Sequence, residues 1–250
     1  MRVDYRDDLL GRTGTYYDGT EYGKHTTSAG FTATKKVTCS YWIKRTRTTT
    51  IEALASICVN TTGGAMMFSA RIFSSSDQVW FSGYRASDAT IVLNVVSGAG
   101  SGISHTNWHH VLFSCDLSDT SKRWLYLDDV LTTPTWLTYV NDNMAPIISV
   151  PTETTTIGAD FLTAINSPFI GSLSELYIDM GTYTDFSVTA NRRKFITEDG
   201  NPANLGLTGE RPTGSQPEIY LPGGNGTVQR GSTSAYTNTG TPDTVAGPNP

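Results

Sequence analysis

Three stretches in the middle of the chain decide its fold: Trp108-His109-His110-Val111-Leu112-Phe113-Ser114-Cys115, Arg123-Trp124-Leu125-Tyr126-Leu127-Asp128, and Phe169-Ile170-Gly171-Ser172-Leu173-Ser174-Glu175-Leu176-Tyr177-Ile178-Asp179. Each reads as a strand. Asp128-Asp129 turns the second into Val130-Leu131, and Asp suits such a turn because it tolerates positive φ and can bond to its own backbone. Upstream, Lys36-Val37-Thr38-Cys39-Ser40-Tyr41-Trp42-Ile43-Lys44 is a further strand. Its alternation puts Cys39, Tyr41 and Ile43 on one face and Ser40 and Trp42 on the other. Bulk on both faces predicts a central strand whose outside is covered. Strands are also expected at Ala53–Val59, Met66–Phe73, Val79–Tyr84 and Thr90–Val96, with breaks at Gly63-Gly64 and Gly83 and a loop at Gly98–Gly102. This rhythm of short strands belongs to an all-β sandwich or barrel. Nothing before about residue 185 has helical periodicity.

The chain of 250 residues is long enough to bury a substantial core, and all-β sandwiches of this length occur as one unit. Thr is its commonest residue and Gly numbers 24, a mixture that favours pleated surfaces and turns. The formal net charge of -5 argues against nucleic acid, whose binders carry a basic field. The short run Arg192-Arg193-Lys194 reads as a helix end, where cations complement the dipole. Three cysteines, Cys39, Cys58 and Cys115, make neither a disulfide framework nor a zinc spacing, so folding in a reducing cytoplasm is expected. No apolar run is long enough to span a membrane, and the polar start Met1–Asp8 lacks the apolar core of a signal peptide. Leu9-Leu10 would anchor one short strand within an otherwise irregular segment 1–35.

The character changes after Asp179. Phe186–Ile196 fits one short helix with Asp185 or Ser187 as its N-cap and cations in its last turns. A tail rich in Gly, Pro, Thr, Ser and Asn follows, with Ile219-Tyr220-Leu221 as its only apolar strand-like piece. On composition this tail is disordered or an extended arm.

The three central strands together resemble the laminin G-like, concanavalin A-like jelly roll. That family runs a Trp-x-x-Val strand, a Leu-Tyr-Val-Asp-Gly strand and a Phe-x-Gly-x-Leu-x-Glu-Val strand; Asp128-Asp129 departs from its usual Asp-Gly. Ile157-Gly158 resembles the short strand that precedes the family's final long one. The stretch from Ser187 to Phe195, then Asp199-Gly200-Asn201-Pro202, Pro217–Leu221 and Thr239–Pro250, is similar to the C-terminal part of laminin G-like structural proteins of tailed bacteriophages, and Tyr22–Arg45 resembles their lead-in. The resemblance implies a two-sheet jelly-roll domain over 1–182, a short helix packed on it within 183–200, and an extended C-terminal arm over 201–250. It also implies a non-enzymatic virion component, made in the host bacterial cytoplasm. Its partners would be other virion proteins and copies of itself.

Glycanases of this superfamily set paired acids on one strand. Glu175 and Asp179 share a face by period two but stand four residues apart with Tyr177 between them and no third acid, and Glu175 matches the superfamily's structural Glu; no catalytic residue is expected. Loop carboxylates and carbonyls hold calcium in this superfamily, so calcium is the one cofactor considered, at Asp119, Asp128, Asp129, Asp160 and above all Asn141-Asp142-Asn143. Turn chemistry accounts for these residues equally well, and no metal ligand set is assigned. His109 and His110 point to opposite faces, so they do not share a metal. Trp80, Tyr84, Trp136 and Tyr139 lie near strand ends or loops, where their rings would stack on sugars; packing in the core or at a subunit interface is the competing explanation. They make a lectin-like module for host-surface glycans the alternative function.

Overall fold

The computed structural model describes residues 12–27, 34–46, 51–59, 66–73, 76–85, 90–98, 103, 105–139, 153–161, 165–224, 229–233 and 235–248. Its first strands are β1 (Thr13–Asp18), β2 (Tyr22–Thr27), β3 (Lys36–Arg45), β4 (Glu52–Val59), β5 (Met66–Ile72), β6 (Val79–Tyr84) and β7 (Ile91–Val96). The middle holds β8 (His109–Asp116), β9 (Arg123–Leu127), β10 (Val130–Leu131), β11 (Thr135–Tyr139) and β12 (Glu153–Ile157). Two short strands, β13 (Asp160–Phe161) and β14 (Ile165–Asn166), precede the long β15 (Ile170–Met180). The single helical turn α1 (Thr189–Arg192) is followed by β16 (Ile219–Leu221), β17 (Thr237–Thr239) and β18 (Asp243–Ala246).

Two antiparallel sheets face each other. The first runs β10-β9-β8-β3-β15-β1-β18, with β16 also paired to β15; the second runs β11-β7-β6-β5-β4-β12-β2-β17. This is the two-sheet jelly-roll sandwich that the central strands imply. The alternation along β3 is as expected: Cys39, Tyr41 and Ile43 lie between the sheets, while Trp42 belongs to a second apolar cluster outside. Phe81 from one sheet stacks on Phe113 from the other, ring centres 4.1 Å apart. Each such ring removed from water contributes roughly 1.5–3 kcal/mol. At the junction of β9 and β10, Asp128 and Asp129 both take positive φ, 49° and 63°, which closes the hairpin without Gly.

The outer cluster explains why β3 carries bulk on both faces. Phe186, Phe195, Ile196, Ala203 and Leu205 lie over Trp42, Leu112, Tyr126 and Tyr177. Phe186 and Phe195 meet edge to face at 5.7 Å. The helix there is shorter than expected, one turn at Thr189–Arg192, and its N-cap is Val188 with no side-chain cap. Asp185 instead closes a turn one step earlier, accepting from the amide and hydroxyl of Ser187 at 3.0 and 2.6 Å. Arg192 is drawn off the helix end to Asp129 at 2.6 Å and to the carbonyl of Phe186 at 2.7 Å.

The segment expected as an arm runs extended over its own body. β16 pairs with β15, β17 with β2 and β18 with β1. Residues beyond 201 therefore add strands to both sheets formed by residues 1–182. Strands as short as three or four residues suffice here because each adds one row to an existing edge. The three cysteines are buried, and none of them is in a disulfide. Among the described residues no helix is long and apolar enough to cross a membrane. Leu9-Leu10 lies outside the described residues.

Candidate functional site

An open cleft lies on the outer face of the first sheet. Trp42 and Lys44 stand two residues apart on β3 and so project to the same side. Thr106, Asn107 and Trp108 lead into β8 beside them. The turn Asp199-Gly200-Asn201-Pro202 closes another side, and Pro248 adds the end of the tail. The volume is about 450 Å³.

Each wall is held by local chemistry. Gly14 of β1 lets the Trp108 indole lie on the sheet, since a Cβ there would stand 2.8 Å from the ring. The turn is tied by the amide of Thr197 to the carbonyl of Asn201 at 2.7 Å and by the amide of Asn201 to the Thr197 hydroxyl at 3.0 Å. Gly200 supplies the φ of 77° that the turn needs. Trp42 is 5% exposed and stacks on His110 with ring centres 4.7 Å apart. His110 in turn meets Ser40 at 3.0 Å. Burial pushes His110 down to about 3, so the ring beneath Trp42 is neutral at ordinary pH. The Trp42 indole N–H finds no acceptor among the described residues.

Lys44 is half-buried, while Asn107 and Asp199 are exposed. Two apolar ring systems, an ammonium, two amides and one carboxylate thus converge on one concave surface. Such a set can stack a small polar ring and hydrogen-bond its rim.

The aromatic residues singled out from sequence lie elsewhere. Trp80 is on the outer face of the second sheet, where its indole N–H donates to Asn94 at 2.8 Å and the Arg71 guanidinium lies 4.8 Å above the ring. Arg71 is paired with Asp160 at 2.6 Å. Tyr84, Trp136 and Tyr139 are half-buried against the core. Trp136 and Tyr139 meet edge on at 5.4 Å beneath Arg123, and the Tyr139 hydroxyl donates to the carbonyl of Asp116 at 2.7 Å. The four rings do not form one surface, and none of them lines the cleft.

Neither acid of the long strand lines it either. Glu175 sits at a bulge in β15 with φ of 50°, accepting from Arg12 and from the Tyr220 hydroxyl, each at 2.7 Å. Burial raises its carboxyl and Arg12 opposes the rise. Asp179 accepts from Tyr177 at 3.2 Å, and both acids are buried. The calcium candidates that are described are engaged by the chain: Asp119 by Ser121, Asp128 by His109, Asp129 by Arg192 and Arg193. Among the described residues no three His, Cys, Asp or Glu side chains group to hold a metal. Asn141-Asp142-Asn143 lies outside the described residues.

The cleft residues carried only weak signals in sequence. The outward phase of Trp42 and Lys44 is readable from β3, but Trp108 reads first as a strand residue. Asp199–Pro202 reads only as a turn some 150 residues away from them in the chain.

Residues 17–189 match the family described as the concanavalin A-like lectin/glucanases superfamily. A Bacteroides ovatus protein assigned to carbohydrate binding superposes with a TM-score of 0.61 at 15% identity, over 94% of this chain and 60% of its own. The CBM40 of a Ruminococcus gnavus IT-sialidase superposes with a TM-score of 0.51 at 14% identity, over 73% of this chain and 97% of its own. The same module bound to α2,6 sialyllactose gives 0.50 at 14% identity, with the same coverage of 73% and 97%. At these identities the likeness is one of fold. This chain spans 60% of the length of the Bacteroides ovatus structure. No curated protein matches the sequence.

Proposed function

This chain belongs to the concanavalin A-like lectin/glucanases superfamily, and we propose that within it the chain is a carbohydrate-binding module that captures sugars in the Trp42–Trp108 cleft without cleaving them. The observation that carries this reading is the cleft lining: the half-buried Trp108 indole, with the edge of Trp42, beside Lys44, Asn107, Asp199 and Asn201. Indole faces suit the apolar faces of pyranose rings, and the polar groups suit their hydroxyls. The carbohydrate-binding structures that share the fold agree with it. Hydrolysis takes two carboxyl groups flanking the bond. The cleft lining holds one, Asp199, while Glu175 and Asp179 are buried elsewhere.

A glycan array probed with the wild-type chain, Trp108→Ala and Asp199→Ala tests the proposal. Wild type binds a defined set of glycans, and both variants lose about tenfold or more in affinity while remaining folded by circular dichroism. A wild-type chain that binds nothing, or variants that bind as well as wild type, would refute it.

A second reading is compatible with the first. The resemblance of residues 187–250 to structural proteins of tailed phages supports a virion component that presents this module. Because the tail pairs within its own body, docking on other virion proteins or on copies of itself would use the outer surface of the sandwich. Purified virions examined by mass spectrometry and labelled cryo-electron microscopy would carry it in repeated copies; its absence from particles would remove this reading and leave the first.

A further inference from the structure

Among the described residues Lys44 makes no ion pair, unlike several cations built into the body. Arg12 is paired with Glu175, Arg45 with Glu52, Arg71 with Asp160, Lys122 with Asp116, and Arg192 with Asp129. Lys44 is half-buried in a chain of net charge -5, yet no ion pair engages it among the described residues. Asp199 shares the cleft but is not within ion-pair distance of it. A second donor lies beside it on the same strand face. The N–H of Trp42, on a side chain 95% buried, has no acceptor among the described residues. The amides of Asn107 and Asn201 add donors at the rim. The lining thus carries one ammonium with no ion-pair partner among the described residues and one carboxylate, with amides and a hydroxyl between them that both donate and accept. Unsatisfied buried donors and an unpaired ammonium are costly to leave without an acceptor.

Resting on the cleft being a sugar site, we propose that its ligand is an acidic sugar whose carboxylate is held by Lys44, with Asp199 accepting from the sugar's hydroxyls. The opposite charges of Lys44 and Asp199 orient the sugar by matching its acid and its hydroxyl edge. A charge-assisted bond of this kind is stronger than a neutral one and weakens with salt when partly exposed.

The test compares two probes that differ at one carbon: methyl β-D-glucuronide, which carries a carboxylate, and methyl β-D-glucoside, which carries a hydroxymethyl group. NMR titration of the full chain at low salt follows the indole N–H signals. The glucuronide binds about tenfold more tightly than the glucoside, the ratio shrinks in 0.5 M salt, K44Q brings it to about one, and K44R restores part of it. A glucoside that binds as well as the glucuronide, or a ratio unchanged in K44Q, overturns the assignment of Lys44 and leaves the sugar-binding reading standing. A chain that binds neither probe, nor any glycan on the array, overturns both.

Discussion

Carboxylates shielded from water, wholly or in part, do different work in this protein according to what faces them. Glu218 is the clearest case. Its side chain accepts from the amide of Met180 at 2.6 Å and lies near Asp179, which itself accepts from Tyr177. Burial first, and then the charge of Asp179, push Glu218 up to about 7. The folded chain therefore keeps a proton on Glu218 at a pH where the unfolded chain has lost it. The sign follows from linkage: with more protons bound in the folded state, stability falls as pH rises. The loss begins near the ordinary Glu value of 4.5 and is complete above about 7, on the order of 3 kcal/mol in total. Asp179 is raised too and acts in the same direction. Glu218→Gln keeps an acceptor for the Met180 amide and removes the titration. Denaturant unfolding between pH 5 and pH 8 should show a wild-type decline that is markedly shallower in the variant, which keeps only the Asp179 part of it. Parallel profiles for the two proteins would refute the account.

At the scale of the element, β15 is where the two ends of the chain meet. One of its edges pairs with β3 along its length; the other pairs with β1 at Ile170–Leu173 and with β16 at Leu176–Ile178. Glu175 stands between those two partners, at the bulge, bonded to Arg12 from one terminal segment and to Tyr220 from the other. Glu175→Ala leaves the buried Tyr220 hydroxyl without its acceptor, at a cost of about 1–3 kcal/mol, while Arg12 can turn to water. Glu175→Gln keeps an acceptor and should lose less, and chemical denaturation of the two variants checks the order. The central strand of this junction was legible from sequence, because Phe169–Asp179 alternates and ends cleanly. So were β3, β8 and β9, whose side chains are apolar enough to declare a face. The role of Glu175 was not legible, since its partners lie 163 and 45 positions away. The tail strands were missed for a related reason. Thr237–Thr239 and Asp243–Ala246 are polar because each lies at a sheet edge, and only the register of β2 and β1 makes them strands. The cleft was half legible: alternation places Trp42 and Lys44 outward, but only the folded chain brings Asp199–Pro202 over them.

At the scale of the molecule, these pairings make the C-terminal fifth a structural part of the sandwich. β1 lies between β15 and β18, and β2 between β12 and β17. Removing residues 201–250 would strip one neighbour from each of these strands and from β15, and would expose Tyr177 and Trp42, which pack in a cluster with Ala203, Leu205 and Tyr220. It would also remove Glu218 and the acceptor-bound hydroxyl of Tyr220. The buried aromatic and aliphatic side chains lost from that cluster and from the core, Leu205, Ile219, Tyr220, Leu221 and Tyr236, each contribute roughly 1.5–3 kcal/mol. Together they contribute roughly 8–15 kcal/mol, comparable with the 5–15 kcal/mol by which a domain is ordinarily stable. A chain ending at residue 200 should therefore fail to unfold cooperatively and should lose its near-ultraviolet circular dichroism. Adding residues 201–250 as a separate peptide supplies the missing strands and would restore part of that signal. A truncated chain that melts as sharply as the full one would show that the first 200 residues hold the sandwich by themselves, and that the tail is an appendage after all.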